Sequence, residues 1–491
     1  MDRRLFIHAA AGGLGYFYAA PAYSADKVRG ANDRIRLAGI GVGGKGRSDI
    51  EQAGAVGQEI NKATKEVIKS AITEVIALVD IDESKGHLGG AAEKFRQAKT
   101  FFDYRKLIDS PLFKDVDAVT ISTPDHHHAA AAAPCIRAKK HVYVQKPLTR
   151  TVFEADLLRK LAAEHKVCTQ MGNQGTTENG LRRAVELVQG GALGDVSEVH
   201  VWTNRPVWPQ APGVMGRPPE SPVPAHVHWE EFIGPAPMRP YAVYSDGRQR
   251  KYGNGAYHSF NWRGWWDFGT GAIGDMACHT ANMAFMALKL GWPTKVTAEA
   301  GDVNNETCPS WAHVTLEFPA RDGLKPVTLH WYEGARAGYK VTPPYELVTK
   351  ALACDPDPKR NKGLVNSGSI LVGSKGILYS PNDYGAQVYG SKELGDALDG
   401  KKPEKLPVNG RGDQGQKDEW VEAIRANDPK KALSNFDYAS LLTAAFLLGN
   451  VAIRTGKGFE FDPETLTCKG CPEGQQYIKG EYRKGWDLVT G

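Results

Sequence analysis

Cysteine is scarce in this chain. Its seven cysteines in 491 residues are odd in number, and Cys135, Cys168, Cys278, Cys308 and Cys354 stand singly, so no disulfide framework is encoded. Cys468 and Cys471 form one C-x-x-C in a C-terminal loop. Zinc there would need two further ligands and none lies nearby, which leaves a local disulfide or two plain thiols. Neither sign of charge prevails: 61 Lys and Arg face 56 Asp and Glu, a net +5, too weak a field to draw nucleic acid or an anionic membrane. Beyond the N-terminus there is no run of 18 apolar residues, no internal repeat and no low-complexity block.

What remains is an ordinary globular composition, 41% hydrophobic with 54 glycines and 29 prolines, long enough for two or three domains. The first residues differ from the rest. Arg3-Arg4 is followed by a weakly apolar stretch to Ala20 and by Ala20-Pro21-Ala22, the form of a twin-arginine export signal over residues 1–25. His8 and several glycines interrupt the apolar part, which is too short to span a bilayer. The expectation is a soluble protein, periplasmic or otherwise exported, that crosses the membrane already folded.

From Arg34 onward buried-strand and helical patterns alternate, as in a parallel sheet covered on both faces. Strands are expected at Ile35–Ile40, Val75–Val79, Ala118–Ser122, Val142–Val144 and Val167–Gln170, and a helix over Glu154–His165. The pattern changes near Gly175. Pro- and Trp-rich loops over Arg205–Tyr252 then interrupt β-branched runs at Val196–Trp202, Val314–Phe318, Val327–Trp331 and Ile370–Val372, with helices at Gln416–Ala426 and Tyr438–Ile453. The fold class is α/β: a dinucleotide-binding domain over 31–175, an α+β substrate and oligomerisation domain with a large, mostly antiparallel open sheet over 176–460, and a polar, turn-rich tail over 461–491.

Directly after the first strand, Gly41, Gly43 and Gly46 give G-x-G-x-x-G, with Gly44 inside it. Glycine is needed there for the tight turn, for close approach to a pyrophosphate and for helix–strand packing. Asp80 ends the next strand, placed to take a ribose hydroxyl, and an acid there favours NAD over NADP. Its long spacing from the glycines suggests an inserted helix around Ala53–Ser70. Thr123-Pro124-Asp125-His126-His127-His128 ends a further strand at the ligand-binding edge. Successive side chains diverge, so three adjacent histidines do not make a metal site, and a loop lining the nicotinamide pocket is the better reading. Gln145-Lys146-Pro147 ends another strand on that edge, where a lysine alone is as readily a surface charge.

Asp275 and His279 are four apart behind a glycine-rich turn, so on a helix they share a face. The pair suits proton transfer, the carboxylate fixing the imidazole, or equally a capping Asp beside a core His. Seven of the 11 tryptophans lie between Trp202 and Trp292, suited to stacking on sugars or to pinning long loops.

Together, Gly41-x-Gly43-x-x-Gly46, Thr123-Pro124-Asp125-His126-x-His128, Lys146-Pro147, the Trp262–His279 segment and Leu433-Ser434-Asn435-Phe436-Asp437-Tyr438 resemble the Gfo/Idh/MocA family of nicotinamide-dependent oxidoreductases. The resemblance implies that Lys146, Asp275 and His279 face the nicotinamide as catalytic residues. It implies that Gly41, Gly43, Gly44, Gly46, Asp80, Thr123, Pro124, His126, Gln145 and Lys146 hold NAD. Gln174, Trp262, Arg263 and Asn282 are the substrate candidates. Gln145 departs from the family's usual glutamate, removing a charge beside Lys146. The implied reaction is oxidation of a secondary hydroxyl of a sugar, glycoside or polyol, with His279 as base held by Asp275 and Lys146 stabilising the developing charge. An exported enzyme has no cytoplasmic NAD pool, so a tightly bound cofactor restored in each turnover is expected. Paired sugar oxidation and reduction or a redox-neutral glycoside cleavage would both do this, and a non-catalytic sugar-binding scaffold is the third reading. No metal is expected, and a homodimer or homotetramer is implied by resemblance alone.

Overall fold

The computed structural model describes residues 34–488 apart from 62, 248–249, 358, 360–361, 393 and 395–401. The expected export signal over 1–25 lies outside the described residues. Six short apolar runs make the first sheet: β1 (Ile35–Ile40), β2 (Thr73–Val79), β3 (Lys99–Phe101), β4 (Ala118–Ile121), β5 (His141–Val144) and β6 (Thr169–Met171), in the order β3-β2-β1-β4-β5-β6. Every pairing is parallel. All four β4 residues are buried, as a strand covered on both faces requires. The chain leaves β1 in one direction and returns to its other side at β4, so β1 and β4 flank the topological switch point where open α/β sheets take ligands.

Helix α1 (Lys45–Gly54) follows the glycine loop, α2 (Asp125–Arg137) follows β4 and α3 (Val152–His165) follows β5. Five successive alanines of α2, Ala129 to Ala133, are buried, and small side chains let this helix lie close to its neighbours. Helix α3 begins with a reciprocal cap between Thr151 and Glu154, which satisfies two of the orphan donors of its first turn. No helix forms over Ala53–Ser70. α1 ends at Gly54, and Glu59–Ile60 pairs with Val67–Lys69 in a solvent-exposed hairpin.

The second sheet has ten strands. In chain order they include β7 (Val196–Trp202), β8 (Lys295–Gly301), β9 (Trp311–Phe318), β10 (Val327–Arg336), β11 (Gly368–Gly373), β12 (Gly376–Ser380), β13 (Tyr389–Gly390), β14 (Phe459–Asp462) and β15 (Thr467–Lys469). Their order is β13-β12-β11-β7-β10-β9-β8-β14-β15, with Tyr339–Lys340 added to β10. Only β7 and β10 pair in parallel. Burial alternates along β9, with Ala312, Val314, Leu316 and Phe318 turned inward. Helices α4 (Gly271–Thr280) and α6 (Phe436–Thr455) cover this inner face, while α5 (Gly412–Ala426) packs back on α1. By length and composition α6 could cross a membrane, but it is enclosed by α3, α4 and the sheet and serves as the core helix.

The segment read as a turn-rich tail is more ordered than its composition suggests. It carries β15 and a short helix, Gln475–Lys479, and places Cys468 on a strand rather than in a loop. Cys468 and Cys471 are both buried as free thiols.

Candidate active site

The glycine loop begins where β1 ends. Gly41 has φ 75° and lies against the backbone after β4, where a Cβ would come within 2.8 Å of the Ser122 carbonyl carbon. At Gly46 a Cβ would stand 1.8 Å from the Gly41 carbonyl oxygen, so loop and helix close only with glycine there. The amides of Val42 and Gly43 donate to Asp80 Oδ2 at 2.8 and 2.9 Å, which brings the acid at the end of β2 against the loop. A cavity of 320 Å³ opens at this point, lined by Gly41, Gly43, Gly44, Asp80, Thr123, Pro124, Gln145 and Lys146. Its other wall comes from the second domain and the C-terminal segment, with Tyr252, Phe260, Trp262, Arg263 and Trp486. These residues fit a dinucleotide: a cradle that a Cβ would fill, backbone amides aimed at an acceptor, and a carboxylate within reach of a ribose.

Lys146 reaches out of the β5 turn to α4. Its Nζ donates to Asp275 Oδ1 at 2.7 Å and to the Asp275 carbonyl at 2.8 Å. Arg263 Nε lies 3.5 Å from the same carboxylate oxygen. Burial pushes the Asp275 carboxyl up, but Lys146 and Arg263 outweigh it and hold the group at about 2. One turn along the helix, His279 is pushed well below the ordinary imidazole range, by burial first and by Lys146 second.

The expected hydrogen bond from Asp275 to His279 is not made. An ammonium competes for a carboxylate better than a neutral imidazole does. His279 Nδ1 is left buried without a hydrogen-bond partner among the described residues. Tyr384 meets the His279 ring edge-on at 5.1 Å, and its hydroxyl accepts from Gln174 Nε2 at 3.3 Å. Gln174 is thus joined to the site through Tyr384 and does not line the cavity; of the expected catalytic residues Lys146 lines it, while Asp275 and His279 are buried behind Lys146 and Arg263.

Two other expectations are corrected. Asn282 is fully buried in the core, donating to Thr176 Oγ1 and accepting from the Tyr438 hydroxyl, so it has no free group for a substrate. His126 does not face the cavity. Its ring lies between the carbonyls of Phe268 and Phe232, whereas His127 lines the cavity. His128 stands between the carbonyls of Thr123 and Pro147, at 2.8 and 2.7 Å, and as a neutral imidazole donates to one of them where the β4 and β5 turns meet.

Sequence reasoning missed Asp125 as a site residue. It lines the cavity and accepts from Thr270 Oγ1 at 2.7 Å, just ahead of α4. Burial pushes its carboxyl up to about 7, against the Thr270 hydrogen bond. Also missed was the support beneath Gln145. Gln145 Nε2 donates at 2.8 Å to Asp49, a fully buried carboxylate on α1 whose other oxygen is 2.6 Å from Lys417 and 3.0 Å from Lys45. Burial raises the Asp49 carboxyl and the two ammonium groups more than reverse this.

That network accounts for the glutamine. A glutamate at 145 would set two buried carboxylates within hydrogen-bond distance of each other. Gln145→Glu is therefore expected to cost at least about 2 kcal/mol in urea unfolding at pH 8, with the cost shrinking toward pH 5 as one carboxyl takes a proton. A pH-independent loss would contradict this account.

The comparisons agree with this architecture. A sequence model described as "Oxidoreductase family, NAD-binding Rossmann fold" matches residues 35–173, and one described as "Oxidoreductase family, C-terminal alpha/beta domain" matches residues 184–335. Inositol 2-dehydrogenase of Acidothermus cellulolyticus is 36% identical over 112 residues, which is 23% of this chain and 30% of that protein. Levoglucosan dehydrogenase of Pseudarthrobacter phenanthrenivorans is 28% identical over 106 residues, 22% of this chain and 26% of its own. The chain thus spans about a third of the length of the curated relatives it matches. Among solved structures, an aldose-aldose oxidoreductase from Caulobacter crescentus complexed with glycerol superimposes with a TM-score of 0.52 at 16% identity, over 87% of this chain and 100% of that one. A levoglucosan dehydrogenase in complex with NADH and levoglucosan gives a TM-score of 0.54 at 14% identity, over 87% and 99%. The two matched domains together cover more than half of the chain, which belongs to the Gfo/Idh/MocA family of oxidoreductases with an NAD-binding Rossmann domain.

Proposed function

We propose that this protein is an exported NAD-dependent oxidoreductase that acts on a secondary hydroxyl of a sugar, glycoside or polyol and keeps its dinucleotide between turnovers. The observation that carries the reading is Lys146, held 2.7 Å from Asp275 at the cavity wall, with a neutral His279 one helical turn away. An imidazole without a proton at neutral pH can accept one from a hydroxyl, and His279 stands one turn of α4 beyond the Lys146–Asp275 pair, buried behind the cavity wall. The Lys146 ammonium stabilises the oxyanion that develops. Asp275 and Arg263 fix the lysine rather than the base. The chemistry that NAD supplies when bound is uptake of the hydride from the carbinol carbon.

Retention of the dinucleotide is supported by the long loop segment between β7 and α4, residues 203–270, an insertion in the second domain. Residues 226–228 cross the end of β2, with Glu83 N–H donating to the His226 carbonyl at 2.9 Å and His228 N–H to the Ile81 carbonyl at 2.8 Å. Tyr252, His258 and Phe260 of the same insertion wall the cavity. Inositol, levoglucosan and aldoses, named for the relatives and the structural neighbours, set the substrate class to try first, and a dimer or tetramer is part of the same proposal.

The protein purified without added nucleotide and then denatured should release about one NAD(H) per chain, and should interconvert a pair of sugars with no cofactor supplied. Glycoside cleavage instead of interconversion would select the redox-neutral hydrolytic reading. An empty protein that turns over only with added NAD would overturn retention, and with it the argument from export. Because His279 lies well below 6.5, the acid limb of kcat/KM should fall below pH 6.5. A limb at or above that pH would exclude His279 as the base.

A further inference from the structure

A second cluster of titratable groups lies where the insertion meets the first domain. Asp82 and His87 follow β2, and His258 comes from the insertion. One ligand atom from each, all three within 4.8 Å of one another, defines a common centre. Asp82 Oδ2 lies 2.7 Å from His258 Nε2 and 3.7 Å from His87 Nε2. Donors around a tetrahedral zinc, with bonds of about 2.0–2.1 Å, stand about 3.3 Å apart, so the two spacings bracket that value.

The surroundings orient the donors. Asp80 Oδ1 lies 3.4 Å from His87 Nδ1, which orients the ring so that Nε2 is turned to Asp82. Ser84 N–H donates to Asp82 Oδ1 at 2.8 Å, which fixes the carboxylate plane.

We propose that Asp82, His87 and His258 bind one divalent transition-metal ion of the zinc class, which pins the insertion to the edge of the first domain. Two imidazoles and a carboxylate suit zinc and its neighbours rather than magnesium or calcium. His226, half exposed and with Nε2 3.9 Å from Asp82 Oδ1, is the further imidazole available to complete four-coordination. The ion ties β2's end to the segment that walls the cavity, since His87 and His258 both line it. Neither the donor set nor its test depends on the proposed reaction.

The test uses the whole protein without a polyhistidine tag, dialysed against chelator and titrated with Co2+ and then Zn2+. The expected result is one equivalent per chain, with the visible bands of four-coordinate cobalt displaced by zinc. His258→Ala and, separately, His87→Ala should each weaken binding about tenfold or more. Far-UV circular dichroism identifies a variant that fails to fold, in which case the other variant and the wild-type titration decide. Absence of cobalt bands in the wild type, or binding unchanged in a folded variant, would overturn the site and leave His87 as an imidazolium between two carboxylates.

Discussion

Lys146→Ala is expected to lower kcat about 10³-fold with little change in KM, because its charge acts on the oxyanion that exists only as the hydroxyl proton leaves. Truncation also strips Asp275 of its nearest cation, 2.7 Å away, and leaves a buried carboxylate with Arg263 at 3.5 Å. Some of the loss is therefore electrostatic damage beside the base. Asp275→Asn separates the two effects. It keeps the lysine and its bond to the backbone carbonyl, so a decrease of about tenfold to a hundredfold is expected, smaller than for Lys146→Ala. Steady-state kinetics on both variants, with released nucleotide measured on the same samples, check the ordering. If Lys146→Ala keeps more than a tenth of wild-type kcat, the lysine is not part of the chemistry.

The second large effect concerns stability in acid. His126, His127 and His128 are buried at the start of α2; burial holds His127 and His128 at about 4 and pushes His126 well below the ordinary imidazole range. In the unfolded chain each imidazole takes a proton near 6.5, whereas the native state refuses it until about 4. Between those values the unfolded state binds more protons, so stability is lost as pH falls from 6.5 toward 4, by roughly 3 kcal/mol for each such histidine. Asp125 and Glu333 work against this. Burial raises both to about 7, so their contribution grows as pH falls. Comparing the wild type with His127→Gln isolates the histidine part. The variant's unfolding free energy in urea should depend less on pH between 6.5 and 4, by about 3 kcal/mol over the interval. Parallel curves would mean that His127 is protonated in the native state.

The first domain is legible in the sequence because central parallel strands are buried on both faces. Such strands are continuous apolar runs, and β1 falls on the same six residues that the pattern gives. β-branched runs find all of β7 and the last five residues of β9; burial alternates along β9, whereas the last four residues of β7 are all buried. The segment 53–70 misleads because the long spacing from the glycines to Asp80 shows that residues are inserted but not what they form, and they form an exposed hairpin.

The site divides in the same way. Glycines announce themselves, since their positions are forced by a positive φ and by close approach, and Lys146 and Asp275 stand beside recognisable turns. The partner of Asp275 is less legible. Spacing puts His279 on its face, yet a lysine 129 residues earlier wins the carboxylate. Asp49 and Lys417 are 368 residues apart and carry no local signature. Trp486 ends a polar stretch and still lines the cavity. A buried polar residue such as Asn282 looks like a binding group until its two partners are seen.

The most direct measurement is the absorbance at about 340 nm, the reduced nicotinamide band, of the nucleotide-loaded protein mixed with excess inositol, levoglucosan or an aldose, with no free cofactor present. Oxidation of a carbinol at Lys146 and His279 predicts a rise of up to one equivalent per chain in a single turnover, slowed about 10³-fold in Lys146→Ala. A loaded, folded wild-type protein whose absorbance stays flat with every polyol, sugar and glycoside tried, or a rise that survives unchanged in Lys146→Ala, would contradict it.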